Sequence, residues 1–228
     1  MVGRPPIAVV DYGMGNLKSV KNGFARVGAQ AGLTSDPEAL LRAPAIVLPG
    51  VGAFGDCMRN LRQRGLVEPL LEAIRSGKPY LGICLGLQVL FEESEEFGAT
   101  AGLGLLPGRV RRFSEEAHPA EGSPLRLKVP HMGWNQVEIL KPSPLLAGVG
   151  TGDYFYFVHS YYAETEAEEV VAARTRYGVS FASSLWRGNL FATQFHPEKS
   201  GELGLEVLRR FGEMAGAPSR PRKETAKK

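Results

Sequence analysis

Cys84 is the residue in this chain whose neighbours best suit a nucleophile. It lies between two glycines in the stretch Gly82-Ile83-Cys84-Leu85-Gly86, where an apolar run ends and helically spaced apolar residues begin. In a strand-to-helix nucleophile elbow, the residues two before and two after the nucleophile must be nearly free of side chains. A helix N-terminus beside the sulfur also favours the thiolate form. The pattern predicts a reactive cysteine; the alternative is a buried, inert cysteine at a strand end.

A cysteine nucleophile needs a base, and the base needs a group that orients it. His118 falls in a polar loop, where we expect it to be solvated, whereas His131 and His159 each follow a strand-like run and suit structural hydrogen bonds. His196 is separated from Glu198 by a proline, which favours extended geometry before it and fixes its own φ. The carboxylate can then hold one imidazole nitrogen and leave the other for the thiol. We predict a Cys-His-Glu triad with no metal and no cofactor, since a helical histidine pair spaced by four is absent.

The bulk composition is that of an ordinary globular protein. With 228 residues, of which 43% are hydrophobic and 22% charged, the chain suits one domain with a full core. It has no membrane-length apolar run and no signal-peptide core, so we expect a cytoplasmic protein without a membrane partner. The last eleven residues carry a net charge of +4 against +3 for the whole chain. The rest of the chain therefore lacks the excess of basic residues that is typical of nucleic-acid binding. We expect one domain over residues 1–215 and a basic, disordered tail over residues 216–228.

Strand-like and helix-like patterns alternate along the first half of the chain. Short apolar runs of the type that parallel sheets bury are each followed by a helical pattern. Asp36 is a helix N-cap and the proline after it a first helical residue, while Cys57 lies on the apolar face of a later helix and is expected in the core. The predicted strands are residues 7–10, 30–33, 45–48 and the run that ends at Cys84; the predicted helices are residues 17–27, one after Asp36, 55–64, 66–76 and one after Cys84. This alternation predicts an α/β fold with a doubly wound, open, mostly parallel sheet flanked by helices.

The second half of the chain has a different pattern. From about residue 105, closely spaced strand-like runs predict a β-rich extension with antiparallel parts. A segment rich in Glu, Ala, Pro and Gly, residues 114–124, is predicted to be a surface loop. The predicted strands are residues 109–113, 127–130, 136–139, 154–158, 169–176, 180–186 and 190–194, and an amphipathic helix is predicted over residues 201–215.

The motifs around the predicted triad resemble those of a known family. Residues 82–88 together with Phe195-His196-Pro197-Glu198 resemble the class I, triad-type glutamine amidotransferases. Further stretches are similar to one branch of that family, the glutaminase subunits of imidazole glycerol phosphate synthase. These stretches are Asp11-Tyr12-Gly13-Met14-Gly15-Asn16-Leu17, Pro49-Gly50-Val51-Gly52-Ala53-Phe54, Pro130-His131-Met132-Gly133-Trp134-Asn135, Tyr156-Phe157-Val158-His159-Ser160-Tyr161 and Lys199-Ser200. The resemblance covers about residues 7–213 and excludes the Pro-rich start, the loop and the basic tail.

The resemblance implies a reaction and a role for particular residues. Glutamine would be hydrolysed to glutamate and ammonia through a thioester on Cys84, with His196 and Glu198 completing the triad. Ammonia would pass to a (β/α)8 cyclase subunit, with which the chain would form a heterodimer in histidine biosynthesis. The resemblance further implies backbone oxyanion donors at Val51 and Leu85, glutamine binding at Gly50, Gly52 and Gln88, and a partner interface or gate at Asn16, Trp134, Tyr156 and Lys199.

Several alternatives stay open from the sequence alone. A cysteine hydrolase of the same architecture that cuts γ-glutamyl bonds would keep the triad but need no cyclase partner. A non-catalytic binding subunit would keep only the fold. Trp134 and Tyr156 would also suit core aromatic positions.

Overall fold

The structure of the chain is a computed structural model that describes residues 6–116 and 126–217. The predictions for His118 and for the tail beyond residue 217 lie outside these residues.

The first half of the chain alternates strands with helices, as predicted. Its strands are short, buried apolar runs, and its helices bury one face each. The side chain of Asp36 accepts a hydrogen bond from the Glu38 N–H and a proline occupies the first helical turn, which confirms the predicted helix start. The elements are β1 Ile7–Val10, α1 Leu17–Arg26, β2 Ala31–Thr34, α2 Pro37–Arg42, β3 Ala45–Gly50, α3 Phe54–Gln63, α4 Val67–Arg75, β4 Tyr80–Cys84 and α5 Leu85–Gln88.

The second half of the chain adds further strands and a final helix. These elements are β5 Phe91–Ser94, β6 Thr100–Ala101, β7 Leu106–Arg112, β8 His131–Gln136, β9 Glu138–Ile139, β10 Tyr154–His159, β11 Tyr161–Glu164, β12 Val171–Tyr177, β13 Val179–Arg187, β14 Leu190–Thr193 and α6 Gly201–Met214. Short 3₁₀ turns occupy Pro144–Leu146, Glu168–Val170 and Pro197–Lys199.

The main sheet has the strand order β2-β1-β3-β4-β14-β13-β12-β9. Strands β2, β1, β3, β4 and β14 run parallel, and β13, β12 and β9 continue the sheet with antiparallel pairing. This arrangement confirms the predicted parallel sheet with an antiparallel extension. Because β14 returns to lie beside β4, the last strand of the second half ends next to Cys84.

Two smaller sheets lie outside the main one. Strands β11, β7, β5 and β6 form one of them, and β8 and β10 pair antiparallel in the other. In the second pair, Trp134 lies opposite Tyr156 and His131 lies opposite His159. The strands β5, β6 and β11 were not predicted from the sequence.

Two local predictions were wrong. Residues 127–130 do not form a strand; Leu127 is nevertheless buried, which explains the strand-like pattern of this run. The helix predicted after Cys84 is present and spans Leu85–Gln88, and Phe91 then pairs with Leu106 in β5. The predicted strand 136–139 is divided, with β8 ending at Gln136 and β9 beginning at Glu138.

The core has two parts, one on each face of the main sheet. One contains Cys57, which is fully buried as predicted, and the other contains the two phenylalanines of β10, Phe155 and Phe157, together with Phe195 and Phe211. Within the described ranges, no helix is long and apolar enough to cross a bilayer.

Candidate active site

The turn from β4 into α5 has the geometry of a nucleophile elbow. Cys84 has φ +55°, a left-handed conformation that residues other than glycine rarely adopt. A Cβ on Gly82 would lie 2.3 Å from the Gly86 carbonyl oxygen, and one on Gly86 would lie 1.8 Å from the Leu48 carbonyl oxygen. Both distances are far below van der Waals contact, so the two flanking positions require glycine, as the sequence predicted.

Strand β14 brings the imidazole to the cysteine. Thr193 pairs with Ile83 in the parallel register, so the residues that follow each strand end at the same edge of the sheet. His196 lies there with its side chain 2% exposed, and its Nδ1 is 2.8 Å from the Glu198 Oε1, whose side chain is 1% exposed. The structure therefore brings together the three residues of the predicted triad.

The imidazole of His196 lies between the Cys84 sulfur and the Glu198 carboxylate. Burial alone would lower its pKa, but the Cys84 sulfur and the Glu198 carboxylate outweigh burial and raise the pKa above its usual range. The Nε2 of His196 has no hydrogen-bond partner among the described residues, but the Cys84 sulfur is near enough to raise the pKa of the ring. Nε2 is therefore the atom available for proton exchange with the thiol.

The turn that carries His196 is fixed to β10. The His196 N–H donates to the Tyr156 carbonyl over 2.9 Å, and the Tyr156 N–H donates to the Ser200 Oγ over 3.0 Å. The Ser200 hydroxyl in turn donates to the His196 carbonyl over 2.7 Å. These bonds fix the backbone on both sides of the proline, so the ring enters the site in one orientation.

A cavity of about 450 Å³ opens beside the sulfur. Gly50, which pairs with Cys84 in the sheet, packs against Leu85 so closely that a Cβ there would lie 2.6 Å from the Leu85 Cβ. The predicted residues that line the cavity are Val51, Gly52, Cys84, Leu85, Gln88 and Lys199. The cavity has room for a small amino acid, with the sulfur at its wall.

Sequence reasoning missed two side chains of this site. Glu96 lines the cavity, accepts a hydrogen bond from the Phe54 N–H over 2.6 Å, and has its pKa raised by burial. Gln194 is fully buried and directs its amide nitrogen at the Cys84 sulfur over 3.5 Å. No local motif marks Glu96, but Gln194 precedes His196 by two residues, and that spacing places side chains on the same side of an extended chain.

Three of the four predicted interface residues form one group. Trp134 is 55% exposed and meets Tyr156 edge to face at 6.3 Å, and the Lys199 Nζ lies 5.7 Å from the Tyr156 ring centre. A core position for Trp134 is therefore wrong. Asn16 instead caps helix α1, where its side chain accepts from the Ser19 N–H.

His131 and His159 form a buried pair, and His159 also lines the cavity. The His159 Nδ1 lies 2.8 Å from the Tyr161 carbonyl, which can only accept, so this nitrogen carries the proton. The His159 Nε2 must then accept from the His131 Nδ1 over 3.0 Å, and the His131 Nε2 accepts from the Asn135 amide over 3.2 Å. This series of hydrogen bonds is complete only when both rings are neutral, which confirms structural hydrogen bonds for both histidines.

This neutral pair makes stability depend on pH. Burial lowers the pKa of His131 to about 4 and that of His159 to about 3, against 6.5 in an unfolded chain. Below about pH 6.5 the unfolded state binds the additional protons, so the free energy of unfolding falls with acidification, by about 2 kcal/mol per histidine between about pH 7 and pH 5. Urea unfolding at the two pH values measures this loss. In the His131→Gln, His159→Gln double variant, the loss in the free energy of unfolding between the two pH values should be about 4 kcal/mol smaller. If the double variant kept the pH dependence of the unsubstituted chain, the two histidines would not be the cause of this loss.

No group of three or more His, Cys, Asp or Glu side chains within residues 6–116 and 126–217 is arranged to hold a metal ion. The absence of a cofactor stays a prediction.

An elbow cysteine beside a carboxylate-held histidine, at the edge of a parallel sheet, is typical of cysteine-dependent acyl-transfer enzymes. The pattern of the family described as glutamine amidotransferase class-I matches residues 8–214, and the chain belongs to this family. It is thus a glutamine amidotransferase. The protein named imidazole glycerol phosphate synthase subunit HisH from Geobacter sulfurreducens is 55% identical over 208 residues, 91% of this chain and 98% of that protein. The protein of the same name from Methanothermobacter thermautotrophicus is 55% identical over 211 residues, 92% of this chain and all of that protein.

Solved structures support the fold. A crystal structure of a glutamine amidotransferase superposes with a TM-score of 0.69 at 22% identity, covering 92% of this chain and 99% of that one. The structure of PurLQS from Thermotoga maritima gives the same TM-score at 19% identity, covering 92% and 98%. The predicted fold class and the resemblance to the family are confirmed, while the roles of single residues stay predictions.

Proposed function

We propose that the chain is the glutaminase subunit of an imidazole glycerol phosphate synthase in histidine biosynthesis, and that it hydrolyses glutamine at Cys84 and passes the ammonia to a (β/α)8 cyclase subunit. The relatives that share this name over nearly their whole length support the pathway. The observation that carries the proposed chemistry is His196, buried between the Glu198 carboxylate and the Cys84 sulfur.

The proton path follows from that arrangement. His196 Nε2 takes the thiol proton, and the thiolate attacks the side-chain amide carbon of glutamine to form a C–S bond and an oxyanion. The imidazolium then gives its proton to the amide nitrogen, the C–N bond breaks and ammonia leaves. A water that gives a proton to His196 attacks the thioester, and the C–S bond breaks to release glutamate. Glu198 keeps the Nδ1 protonated throughout.

The oxyanion requires two N–H donors in this scheme. The Leu85 N–H stands at the start of α5, immediately after the nucleophile, and the Val51 N–H belongs to the segment after β3 that lines the same cavity. Such donors stabilise charge that develops only in the transition state, and each contributes roughly 10²–10³-fold to the rate.

The cavity wall suits the rest of glutamine. Both N–H bonds of the Gln88 amide are used, one by the Tyr161 carbonyl and one by the Gln194 Oε1, so its own oxygen is the atom free to accept from the substrate. The Glu96 carboxylate offers an acceptor for the α-ammonium group. Gly52 lines the cavity, and Gly50 lets the backbone before it pack against Leu85, where a Cβ would lie 2.6 Å from the Leu85 Cβ.

The outer face of the β8–β10 pair supports a protein partner. We call this face the docking face: it presents the side chains of Met132, Trp134, Tyr154 and Tyr156, of which the first three are 63%, 55% and 52% exposed. Exposed aromatic and Met side chains grouped on one face are typical of interfaces. Strand β10 joins this face to the site, since the Tyr156 backbone holds His196. Lys199 lies near the Tyr156 ring of the docking face and also lines the cavity. Asn16 follows Gly15, which is near the Pro49 carbonyl in the strand that leads to Val51.

The test mixes the chain with a cyclase subunit and measures glutamine hydrolysis with and without the cyclase's nucleotide ligand. We expect hydrolysis to be stimulated only in the complex. Trp134→Ala should weaken the complex by about 30-fold or more, as loss of a central aromatic anchor does. Leu33→Ala, at a 46% exposed apolar side chain on the edge strand β2, is the matched control and should have no effect on the complex. Full-rate hydrolysis by the isolated chain, unchanged by the cyclase, would instead favour a hydrolase of γ-glutamyl bonds.

A further inference from the structure

Gln194 is a fully buried amide that contacts the Cys84 sulfur and has no part in the triad. Its Nε2 lies 3.5 Å from the sulfur, within the range of an N–H···S hydrogen bond. Its backbone N–H donates to the Ser183 carbonyl over 2.9 Å, which fixes the residue at the end of β14. The parallel register of β14 with β4 then places this side chain beside Cys84.

The orientation of the Gln194 amide follows from its neighbours. The Gln88 Nε2 lies 2.8 Å from the Tyr161 carbonyl and 3.0 Å from the Gln194 Oε1. Because the Tyr161 carbonyl can only accept, the Gln88 nitrogen must face it, and that nitrogen also meets the oxygen end of Gln194. Rotating the Gln194 amide by 180° would set two N–H groups against each other. The end that meets the sulfur is therefore a donor.

The polar neighbours of the sulfur favour different protonation states. The Val158 carbonyl, 3.9 Å away, can accept from the thiol but repels the thiolate, whereas the Gln194 N–H is a donor that stabilises the thiolate. The titratable groups that face the sulfur are His196 and, from the segment after β1, Tyr12. Glu96, His159, Tyr161 and Lys199 stand on the wall of the same cavity. Of the side chains near the sulfur, Gln194 is the neutral donor whose direction other residues fix.

We propose that Gln194 is a positioning residue for the nucleophile: its amide N–H, oriented by Gln88, donates to the Cys84 thiolate and holds the sulfur towards the cavity. This inference rests on the proposed role of Cys84 as the nucleophile. The bond exists before attack and weakens once the sulfur becomes part of a thioester, since a thioester sulfur carries no charge. Gln194 therefore acts on the formation and the direction of the thiolate, not on the oxyanion.

The test is the pH profile of Cys84 alkylation by iodoacetamide, followed by mass spectrometry of the two cysteine peptides in the full chain. Gln194→Glu keeps the shape and still accepts from Gln88, but it turns a carboxylate oxygen towards the sulfur. Gln194→Met keeps the length and removes the donor. We expect the profile to move to higher pH by about one unit in Gln194→Met and by more in Gln194→Glu, where the ionised carboxylate also repels the thiolate.

Two controls separate this effect from damage to the fold. Burial raises the pKa of the Cys57 thiol to about 12, so Cys57 stays unreactive while the chain is folded and reports unfolding in the same sample. Gln63→Glu and Gln63→Met, at an exposed position in α3, should leave the Cys84 profile unchanged.

The outcomes also distinguish this inference from the proposed function. A Cys84 profile that coincides with the unsubstituted chain in both variants, with Cys57 protected, overturns the role of Gln194 and leaves the triad untouched. Glutamine hydrolysis that survives Cys84→Ala overturns the triad itself. A shifted profile, accompanied by a fall in kcat of similar size near pH 7, supports the positioning role.

Discussion

Replacing Cys84 with alanine is expected to reduce glutamine hydrolysis by about 10⁴-fold or more, because no other side chain in the site can form the thioester. Ammonia-dependent synthesis by the complex with a cyclase subunit should remain, since the cavity, the docking face and the cyclase itself are unchanged. The measurement compares synthesis from glutamine with synthesis from an ammonium salt in the same assay.

Cys57→Ala is the matched control for this prediction. Both cysteines are buried, and the substitution removes a sulfur of the same size from the other face of the sheet. It should lower the free energy of unfolding while leaving turnover per folded molecule nearly unchanged. If Cys84→Ala supported product formation from glutamine at the rate of the Cys57→Ala variant, the nucleophile would have to be sought elsewhere.

The elbow and the pairing of His196 with Glu198 could be predicted from the sequence because each depends on short-range geometry. Two glycines around Cys84 report a steric requirement that the Leu48 and Gly86 carbonyls impose, and a proline after His196 restricts two residues at once. The parallel sheet was predictable for a similar reason, since its strands are continuous apolar runs. These signals lie within a few residues of the position they describe.

The rest of the site depends on pairing between distant strands. Gln194, Gln88 and the Tyr161 carbonyl meet only because β14 returns to β4 and β11 begins after β10, and no sequence pattern encodes those distances. The hydrogen-bonded pair of His131 and His159 likewise depends on the register of β8 with β10. The strand predicted at residues 127–130 is absent because the alternating apolar pattern there reflects burial of Leu127 and not pairing with another strand.

Under the proposed function, strand β10 would serve both the docking face and the turn that carries His196. Its side chains alternate, so Tyr154 and Tyr156 lie towards the docking face while Phe155 and Phe157 are fully buried in the core. The Tyr156 backbone bonds both to His196 and to Ser200. A partner that binds the outer face would therefore pack directly over the strand that holds His196, the proposed catalytic base.

Glu198→Gln is expected to reduce glutamine hydrolysis by about 10³-fold, although the side chain keeps its size. If the amide oxygen faces His196, the amide nitrogen places a buried donor at the position of the Glu198 Oε2, which has no hydrogen-bond partner among the described residues. If the nitrogen faces His196, the imidazole proton moves to Nε2, the tautomer that cannot take the thiol proton. Loss of the carboxylate charge also removes one of the causes that raise the pKa of His196. The imidazolium needed for ammonia departure should then be lost at lower pH, so the alkaline limb of the pH–rate profile should move towards neutrality.

Glu202→Gln is the control for this substitution, since its side chain is 81% exposed and its nearest charged partner is the Arg26 guanidinium at 4.0 Å. It should change turnover by less than about twofold, because an exposed pair of this kind contributes little. A Glu198→Gln variant that lost less than about ten-fold, with an unmoved alkaline limb, would show that packing and the backbone bonds to Tyr156 and Ser200 orient His196 without the carboxylate. The combination of a large loss and a shifted limb is the result that only a charged orienting group explains.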